Sequence, residues 1–292
     1  MASETDSPPL TFYDIEMRPP LASNACAPNP WKARQALNFK SLPYKTVWID
    51  LPDITKTRTA LDIPAGRKFA DGTDFCTLPI LVDHKTGEKL GDSLDIAIYL
   101  DEKYPESGRG RLFPDDDDDD KGELAETLSG YTYKDADILI PLSGITAAGS
   151  RGRYAPYGSF NRHVDAVFTA HTLLMAYNMP FVAETADVTK AEFAKRAGVP
   201  SFESFLVAGE ARKAILGSFE ADLGSLAGLF ARDTSGPFIR GSRPCYADLI
   251  VGGWLRFASV CLPKEEWDAL RGWHGGVFGR VFDELSVLRE VN

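Results

Sequence analysis

The segment Ala27–Trp31, with the sequence Ala-Pro-Asn-Pro-Trp, has the composition of a loop that leads directly into a helix. Proline suits the first helical position, where its missing N–H costs nothing, so Pro30 predicts a helix start. Backbone N–H groups and the positive end of the helix dipole then meet at one point. Such a point favours an anion, including a thiolate, because a helix N-terminus lowers the pKa of a thiol from its usual ~8.5. Since every helix has an N-terminus, this segment alone does not specify a function.

Two further segments carry groups that suit a bound peptide. Leu78-Pro79 opens a strand, and a cis bond there would turn the backbone N–H and C=O of Leu78 toward an extended peptide. Asp92-Ser93 follows a hairpin and offers N–H groups, a hydroxyl and a carboxylate, which match the charged end of an amino acid. An ordinary edge proline and a plain helix cap are the alternative interpretations, and the residues alone leave both open.

The elements around these segments indicate a mixed α/β fold over residues 10–104. Runs rich in β-branched and aromatic residues predict three strands, at Leu10–Ile15, Tyr44–Ile49 and Ile80–Val82. A helix over Trp31–Lys40 connects the first two strands, which requires them to be parallel. Residues 50–74 are expected to be irregular apart from one helix near Ile54–Leu61.

The last part of this region predicts a hairpin closed by a helix. Lys85–Glu88 has the composition of a tight turn, so a fourth strand follows Ile80–Val82. Asp92 is expected to cap the next helix, with Asp95 as its reciprocal partner three residues later. The order β-α-β followed by β-β-α predicts four strands in one mixed sheet.

Residues 121–292 show helical periodicity, which predicts a second, all-helical domain. A stripe that steps by three and four predicts core packing, at Leu216, Phe219, Leu223, Leu226 and Phe230. Ala247–Val260 is apolar on all sides, which is typical of a helix at the centre of a domain. Residues 105–120 form a linker that ends in the acidic run Asp115–Asp120, and residues 1–9 are expected to be a flexible N-terminus.

Composition excludes several classes of partner. The net charge is −10, with 42 acidic and 32 basic residues. The sequence has no basic stripe, which argues against nucleic acid or an anionic membrane as the main partner. The first residues are unlike a signal peptide, and no run approaches the ~20 apolar residues of a membrane span. The four cysteines, Cys26, Cys76, Cys245 and Cys261, match no zinc or disulfide spacing. We therefore predict a cytoplasmic protein without a metal site.

The three segments, in this order and ahead of an all-helical half, resemble the thioredoxin-like domain of glutathione transferases. Trp-Lys-x-Arg at 31–34 and the stretch Leu42–Trp48 are similar to the fungal, etherase-related class called FuA. Gly241–Asp248 resembles the capping box of the family's helical domain, with Cys245 where Ser or Thr is usual. The resemblance covers residues 10 to about 290. It implies an α/β thioredoxin-like N-terminal domain followed by an all-α helical bundle domain, glutathione as substrate or ligand, and a homodimer.

The family pattern implies which residues contact glutathione. They are Ala27, Asn29, Trp31, Leu78, Pro79, Asp92 and Ser93. The γ-glutamyl end would lie on the acid-Ser pair, the cysteinyl backbone would pair with Leu78, and the thiol would point at the first helix. A Ser, Tyr or Cys usually contacts the sulfur, but the matching residue here is Ala27. One charge-assisted hydrogen bond contributes about 1.5–3 kcal/mol. Its loss predicts that the population or reactivity of the thiolate falls roughly ten- to a hundredfold.

Two neighbours of Ala27 are candidates to compensate for it. Asn29 carries an amide donor that could contact a thiolate, or it is a loop or cap residue. Cys26 lies one residue too early, and a buried, inert thiol is the alternative to a reactive one. Three hypotheses follow: a weak transferase acting on electrophiles or peroxides, a non-catalytic ligandin, or a thiol oxidoreductase that uses Cys26.

A second pocket, for hydrophobic or phenolic ligands, is predicted between the two domains. Aromatic side chains with polar tips suit flat phenolic compounds. The candidate walls are Tyr131, Tyr133, Ile138–Leu142, Tyr154 and Tyr157. Ordinary helix–helix packing is the alternative interpretation for most of them.

Overall fold

The computed structural model describes residues 9–69, 71–114, 123–132 and 140–292. Several predictions fall outside the described residues: those for residues 1–8, Asp115–Asp120, Tyr133, Ile138 and Leu139.

Strands and helices alternate in the first half. They are β1 (Leu10–Ile15), α1 (Leu21–Asn24), α2 (Pro28–Phe39), β2 (Tyr44–Ile49), α3 (Ile54–Ala60), β3 (Arg67–Lys68), β4 (Asp74–Phe75), β5 (Ile80–Asp83), β6 (Lys89–Leu90) and α4 (Ser93–Lys103). One four-stranded sheet has the order β2-β1-β5-β6. Strands β1 and β2 are parallel, whereas β5 pairs antiparallel with both β1 and β6. The predicted four-stranded mixed sheet is therefore confirmed.

Two details differ from the sequence-based expectation. Strands β3 and β4 form a separate two-stranded sheet in the stretch expected to be irregular. Each has only two residues, so neither is long enough to show the alternation that predicts a strand. Helix α2 begins at Pro28, two residues before the predicted Pro30. Proline is also tolerated within the first turn, so Pro30 does not mark the start.

The second half is helical in the part of the chain that the structure describes. Its helices are α5 (Glu123–Ser129), α6 (Ala155–Ala170), α7 (Ala186–Arg196), α8 (Gly209–Phe230), α9 (Tyr246–Cys261) and α10 (Lys264–Glu284). Short 3-10 turns connect several of them, and α10 is broken by non-helical backbone at Trp273–Gly276. The apolar run Ala247–Val260 is the buried interior of α9, as predicted. Asp248 accepts a hydrogen bond from the Cys245 backbone N–H at 2.7 Å. This is the hydrogen bond from the N-cap backbone to the N3 side chain that the predicted capping box requires.

One large hydrophobic core joins the two halves. It includes Leu10 and Phe12 of β1, the apolar face of α2, and most of α9. A smaller core on the opposite face of the sheet contains Ile54 of α3 and Ile80 of β5. Helix α2 is therefore packed between the sheet and the helical half, and its first turn lies where the two halves meet.

None of the helices within the described ranges combines the length and apolar character needed to cross a bilayer.

Candidate functional site

A cavity of about 160 Å³ lies where the start of α2 and the loop before β5 meet the helical half. Ala27, Asn29 and Leu78 all contribute to its lining, so the structure brings two of the three predicted segments together. The rest of the lining is mainly apolar, and much of it is Met and Phe: Met17, Phe75, Met179, Phe181, Phe193 and Phe257. Such a cavity suits a ligand with an apolar body and a few fixed polar contacts.

The first turn of α2 offers few backbone donors. Ala27 is the N-cap residue. It is 6% exposed, and its side chain is only a methyl group. Its carbonyl accepts the first helical hydrogen bond, from the Trp31 N–H at 3.1 Å. Pro28 and Pro30 have no N–H, so Asn29 alone supplies a backbone donor from the first three helical residues. A thiolate at this helix end would therefore depend on few hydrogen bonds.

The Asn29 side chain adds a donor to this turn. Its Oδ1 accepts a hydrogen bond from Lys32 Nζ at 2.8 Å. Lys32 also donates to Asn161 Oδ1 at 2.8 Å and to Asp165 of α6, so its ammonium has three acceptors. Burial lowers the pKa of Lys32, and the Asp165 carboxylate opposes that shift. The Asn29 Nδ2 group donates to none of the described residues, which leaves a free amide donor on the cavity lining.

Trp31, which the family pattern places among the glutathione contacts, does not line the cavity. The side chain is completely buried, and its indole N–H donates to the Ala25 carbonyl at 2.7 Å. The Arg256 side chain of α9 stacks over the indole, 5.0 Å from its centroid, and donates to the same carbonyl at 3.1 Å. Trp31 and Arg256 therefore fix the loop that precedes α2 without contacting the cavity.

The peptide bond between Leu78 and Pro79 is cis. Leu78 precedes β5 and lies outside the β1–β5 register, which ends at Ile80. Its backbone N–H and C=O make no hydrogen bond with any residue that the structure describes. Both groups therefore remain available for an extended peptide, as the sequence predicts. Pro79 itself is not part of the cavity lining.

Asp92 caps α4, but the predicted reciprocal partner is wrong. Asp92 Oδ1 accepts from the backbone N–H groups of Leu94 at 2.8 Å and Asp95 at 3.2 Å. The Asp95 carboxylate instead accepts a hydrogen bond from the Thr146 hydroxyl, because the loop before α6 passes over this end of α4. Burial raises the pKa of Asp92. Ser93 is buried, and its carbonyl accepts from Tyr246 OH of α9 at 2.9 Å.

Arg58 connects the second and third segments. This buried side chain of α3 donates from one nitrogen to the Thr77 carbonyl at 2.6 Å and to the Gly91 carbonyl at 3.1 Å. A Cβ at Gly91 would lie 2.3 Å from the guanidinium, so a larger residue there would have to displace the Arg58 side chain. Asp92 and Ser93 are outside the cavity lining, and Arg58 fixes their loop relative to Leu78. A single arginine in a short helix gives no sequence signal that it joins these two loops.

Two arginines bring positive charge to the apolar cavity. The guanidinium groups of Arg67 and Arg196 lie 5.5 Å and 5.2 Å from the centroid of the Phe75 ring. Arg67 donates to the Pro141 carbonyl at 2.6 Å, and Arg196 donates to the Cys76 carbonyl at 2.7 Å. Both contacts cross between the two halves, and sequence reasoning identified neither residue.

The predicted aromatic walls are largely absent from the cavity. Ile140 and Leu142 do line it, in agreement with the prediction. Tyr154 and Tyr157 instead pack edge-on against Phe113, with ring centroids 5.0 and 4.8 Å away. Tyr131 packs against Phe160 at 5.3 Å. Tyr157 of α6 therefore belongs to the core, and Tyr131 and Tyr154 are partly buried and pack against it.

Cys26 is also absent from the cavity lining. It is 1% exposed, and its sulfur lies 3.9 Å from the buried sulfur of Cys261 in α9. Burial raises the pKa of the Cys261 thiol well above its usual range. The burial of Cys26 and its absence from the cavity lining agree with the interpretation of a packed thiol. Within the described ranges, no three His, Cys, Asp or Glu side chains are arranged to hold a metal ion.

Known proteins share this architecture. A curated glutathione S-transferase-like protein of Aspergillus flavus, ustS, is 27% identical over 290 residues, which covers 94% of this chain and 89% of the relative. The crystal structure of glutathione transferase GSTFuA2 from Phanerochaete chrysosporium is 25% identical, with a TM-score of 0.71 and 98% and 100% of the two chains covered. A glutathione S-transferase of Ceriporiopsis subvermispora in complex with glutathione, CsGST63524, has the same fold, with 24% identity, a TM-score of 0.70 and coverage of 97% and 98%.

Two family models describe most of the chain. Residues 27–103 match the N-terminal domain of glutathione S-transferases, and residues 160–288 match the C-terminal domain. The first match contains the three segments predicted from the sequence, and the second contains α7 to α10. Together they cover well over half of the chain. Their order, an N-terminal domain followed by a C-terminal domain, agrees with the observed fold. The chain therefore belongs to the glutathione S-transferase family.

Proposed function

We propose that this protein binds glutathione with its thiol beside Ala27 and conjugates it slowly to electrophiles or uses it to reduce peroxides. The observation that carries the proposal is the free Asn29 amide donor on the cavity lining, next to a helix start that lacks a hydroxyl or thiol. The unpaired backbone of Leu78 supports the binding of the cysteinyl residue. Crystal structures of fungal relatives in complex with glutathione support the same ligand.

In the proposed reaction, Asn29 Nδ2 and its backbone N–H stabilise the thiolate after the thiol proton passes to water. In conjugation, the sulfur forms a bond to an electrophilic carbon and the leaving group departs with the bonding electrons. In peroxide reduction, two thiols give a disulfide, an alcohol and water. The neutral amide is a weaker donor to a thiolate than a charged group, so we expect slow turnover.

The apolar part of the cavity supports a second role, the binding of hydrophobic or phenolic ligands. Met and Phe side chains fill irregular shapes and tolerate varied apolar ligands. The Arg67–Phe75–Arg196 stack adds positive charge, which suits a phenolate beside an aromatic ring. A ligandin without turnover is the alternative function, favoured by the methyl group at Ala27. A homodimer is proposed by family analogy alone, and a cytoplasmic location from the pattern of the four cysteines.

Titration calorimetry with glutathione, followed by conjugation of an activated aryl halide and reduction of an organic hydroperoxide, tests the proposal. We expect measurable glutathione binding and slow turnover in the unmodified protein. Ala27→Ser adds a hydroxyl donor, so turnover is expected to rise about ten- to a hundredfold. Binding without turnover, even in Ala27→Ser, would establish the ligandin. A protein that does not bind glutathione at all would overturn the site assignment.

A further inference from the structure

We propose that Lys32 is a positioning residue for thiol activation, which fixes the Asn29 amide so that its NH₂ group faces the bound sulfur. The inference rests on the proposed function, because it assigns a role to the network behind that site. Lys32 does not line the cavity and is completely buried one layer behind it. It therefore acts through Asn29 and does not touch the substrate.

The orientation of the Asn29 amide follows from the chemistry of its partner. An ammonium group is a donor only, so the atom that faces Lys32 Nζ at 2.8 Å must be the amide oxygen. The NH₂ group then points to the other side, where Asn29 borders the cavity and no described residue accepts from it. A cation on the carbonyl oxygen also polarises the amide, which makes its NH₂ a stronger donor.

The ammonium itself is held by the helical half. Asn161 and Asp165 of α6 accept its other two hydrogen bonds. The indole N–H of Trp254 in α9 donates to the same Asp165 oxygen at 2.7 Å, so the carboxylate is fixed in turn. Two other charges act on the pKa of Lys32: Asp92 raises it and Arg67 lowers it. Two helices of one half thus determine the direction of a donor in the other half.

A structural role for Lys32 predicts different behaviour from a positioning role. If Lys32 only stabilises the fold, its removal lowers the unfolding free energy and leaves the thiol chemistry of the folded fraction unchanged. If it positions Asn29, its removal raises the pKa of the bound thiol, and that effect disappears once Asn29 is gone. The coupling between the two residues is therefore the decisive quantity.

Lys40 provides a matched control on the same helix. It is also completely buried and pairs with Asp101 at 3.0 Å, but it lies at the far end of α2. Lys40→Met removes a buried ammonium without touching the cavity network. Asn29→Asp keeps an oxygen that accepts from Lys32 and removes the NH₂ donor. It therefore separates the effect of the Lys32 hydrogen bond from the effect of the NH₂ group that this bond orients.

The experiment measures the pKa of glutathione bound to each variant, from the pH dependence of thiolate absorbance and of kcat/KM. The variants compared are Lys32→Met, Asn29→Ala, Asn29→Asp, the double variant Lys32→Met with Asn29→Ala, and Lys40→Met. Lys32→Gln is the second variant if Lys32→Met does not fold. We expect Lys32→Met to raise the thiol pKa and lower kcat/KM about tenfold, with no further loss in the double variant. Lys40→Met should leave both quantities unchanged.

Two outcomes overturn the inference: an unchanged thiol pKa in the Lys32 variants, or an equal effect of Lys32→Met with and without Asn29. The proposed function fails in a distinguishable way. In that case the unmodified protein does not bind glutathione, or both Asn29→Ala and Asn29→Asp leave the thiol pKa unchanged.

Discussion

The two ends of α2 hold two buried lysines in different environments. Lys40 follows the last residue of the helix, and its partners are the Asp101 carboxylate and the carbonyls of Tyr104 and Gly110. Lys32 lies near the start of the helix, and its partners are Asn29 and two residues of the helical half. Burial lowers the pKa of both lysines.

The difference separates a buried cation that the helix dipole favours from one that the dipole opposes. A cation at a helix C-terminus is favoured by the helix dipole, whereas one near the N-terminus is disfavoured. Lys40 therefore gains from its position in α2, and all its partners precede residue 115. Lys32 opposes the dipole and depends on Asp165, which lies 133 residues away in sequence. A buried charge placed against the dipole, beside a cavity, is the arrangement expected when a site needs a fixed polar group.

The largest expected effect is on stability, and it distinguishes the two ends. Lys32→Met leaves Asp165 buried without its cation, so we expect a loss of about 3–5 kcal/mol in unfolding free energy. Lys40→Met should cost less, because Asp101 keeps ion pairs with Arg111 at 3.5 Å and Arg153 at 3.4 Å. Urea unfolding of both variants measures the difference. A larger loss for Lys40→Met would contradict this account of the two pairs.

A smaller effect is expected from two adjacent glycines of α9, which packs along α2. A Cβ at Gly253 would lie 2.7 Å from the Pro28 carbonyl oxygen and 2.9 Å from Lys32 Cγ. Since Pro28 is backbone, Gly253→Ala must displace the first turn of α2, at a cost of about 1–3 kcal/mol. We expect this variant to bind glutathione more weakly in calorimetry.

Gly252→Ala is the matched control for that prediction. Its Cβ would meet side-chain atoms, Leu285 Cδ1 at 2.5 Å and Gln35 Oε1 at 2.8 Å, away from the cavity. We expect a comparable loss of stability and unchanged glutathione affinity. Equal loss of affinity in both variants would show that the start of α2 is not specially sensitive to this helix contact.

The smallest effect concerns pH and the two ends of α4. Burial raises the pKa of Asp95 from 3.8 to about 6, so the folded state binds a proton more tightly than the unfolded chain. The resulting stability is full below about pH 4 and is lost as the pH rises through 6. Asp95→Asn removes this titration. Relative to the unmodified protein, its stability should therefore increase between pH 4 and 7.

Asp95 is partly exposed, so solvent screening limits the expected gain to about 1 kcal/mol or less. Thermal unfolding at several pH values measures it. Asp101→Asn, at the other end of α4, breaks the ion pair with Lys40 and should instead destabilise the protein at neutral pH. A flat difference between Asp95→Asn and the unmodified protein across this range would contradict the assigned titration.

The sequence by itself determined the four strands of the main sheet and the apolar helix α9. Alternation in Leu10–Ile15 and Tyr44–Ile49, and the apolar run in α9, each belong to one element and are visible within it. The absence of a hydroxyl at Ala27 and the prolines on either side of Asn29 are also properties of the residues alone. They fix what this helix start lacks before any fold is known.

Only the tertiary structure decided which groups hold the Asn29 side chain and what surrounds the start of α2. Periodicity shows which side chains face inward, but it does not show which element packs opposite them. The partners of Lys32 on α6 and the Phe side chains of the cavity therefore had no local signal. For the same reason, the sequence could not decide between a cavity wall and core packing for Tyr131, Tyr154 and Tyr157, none of which lines the cavity. Arg58 joins Thr77 to Gly91 through contacts 19 and 33 residues apart. Such contacts exist only after the chain has folded, because they depend on the packing of distant segments.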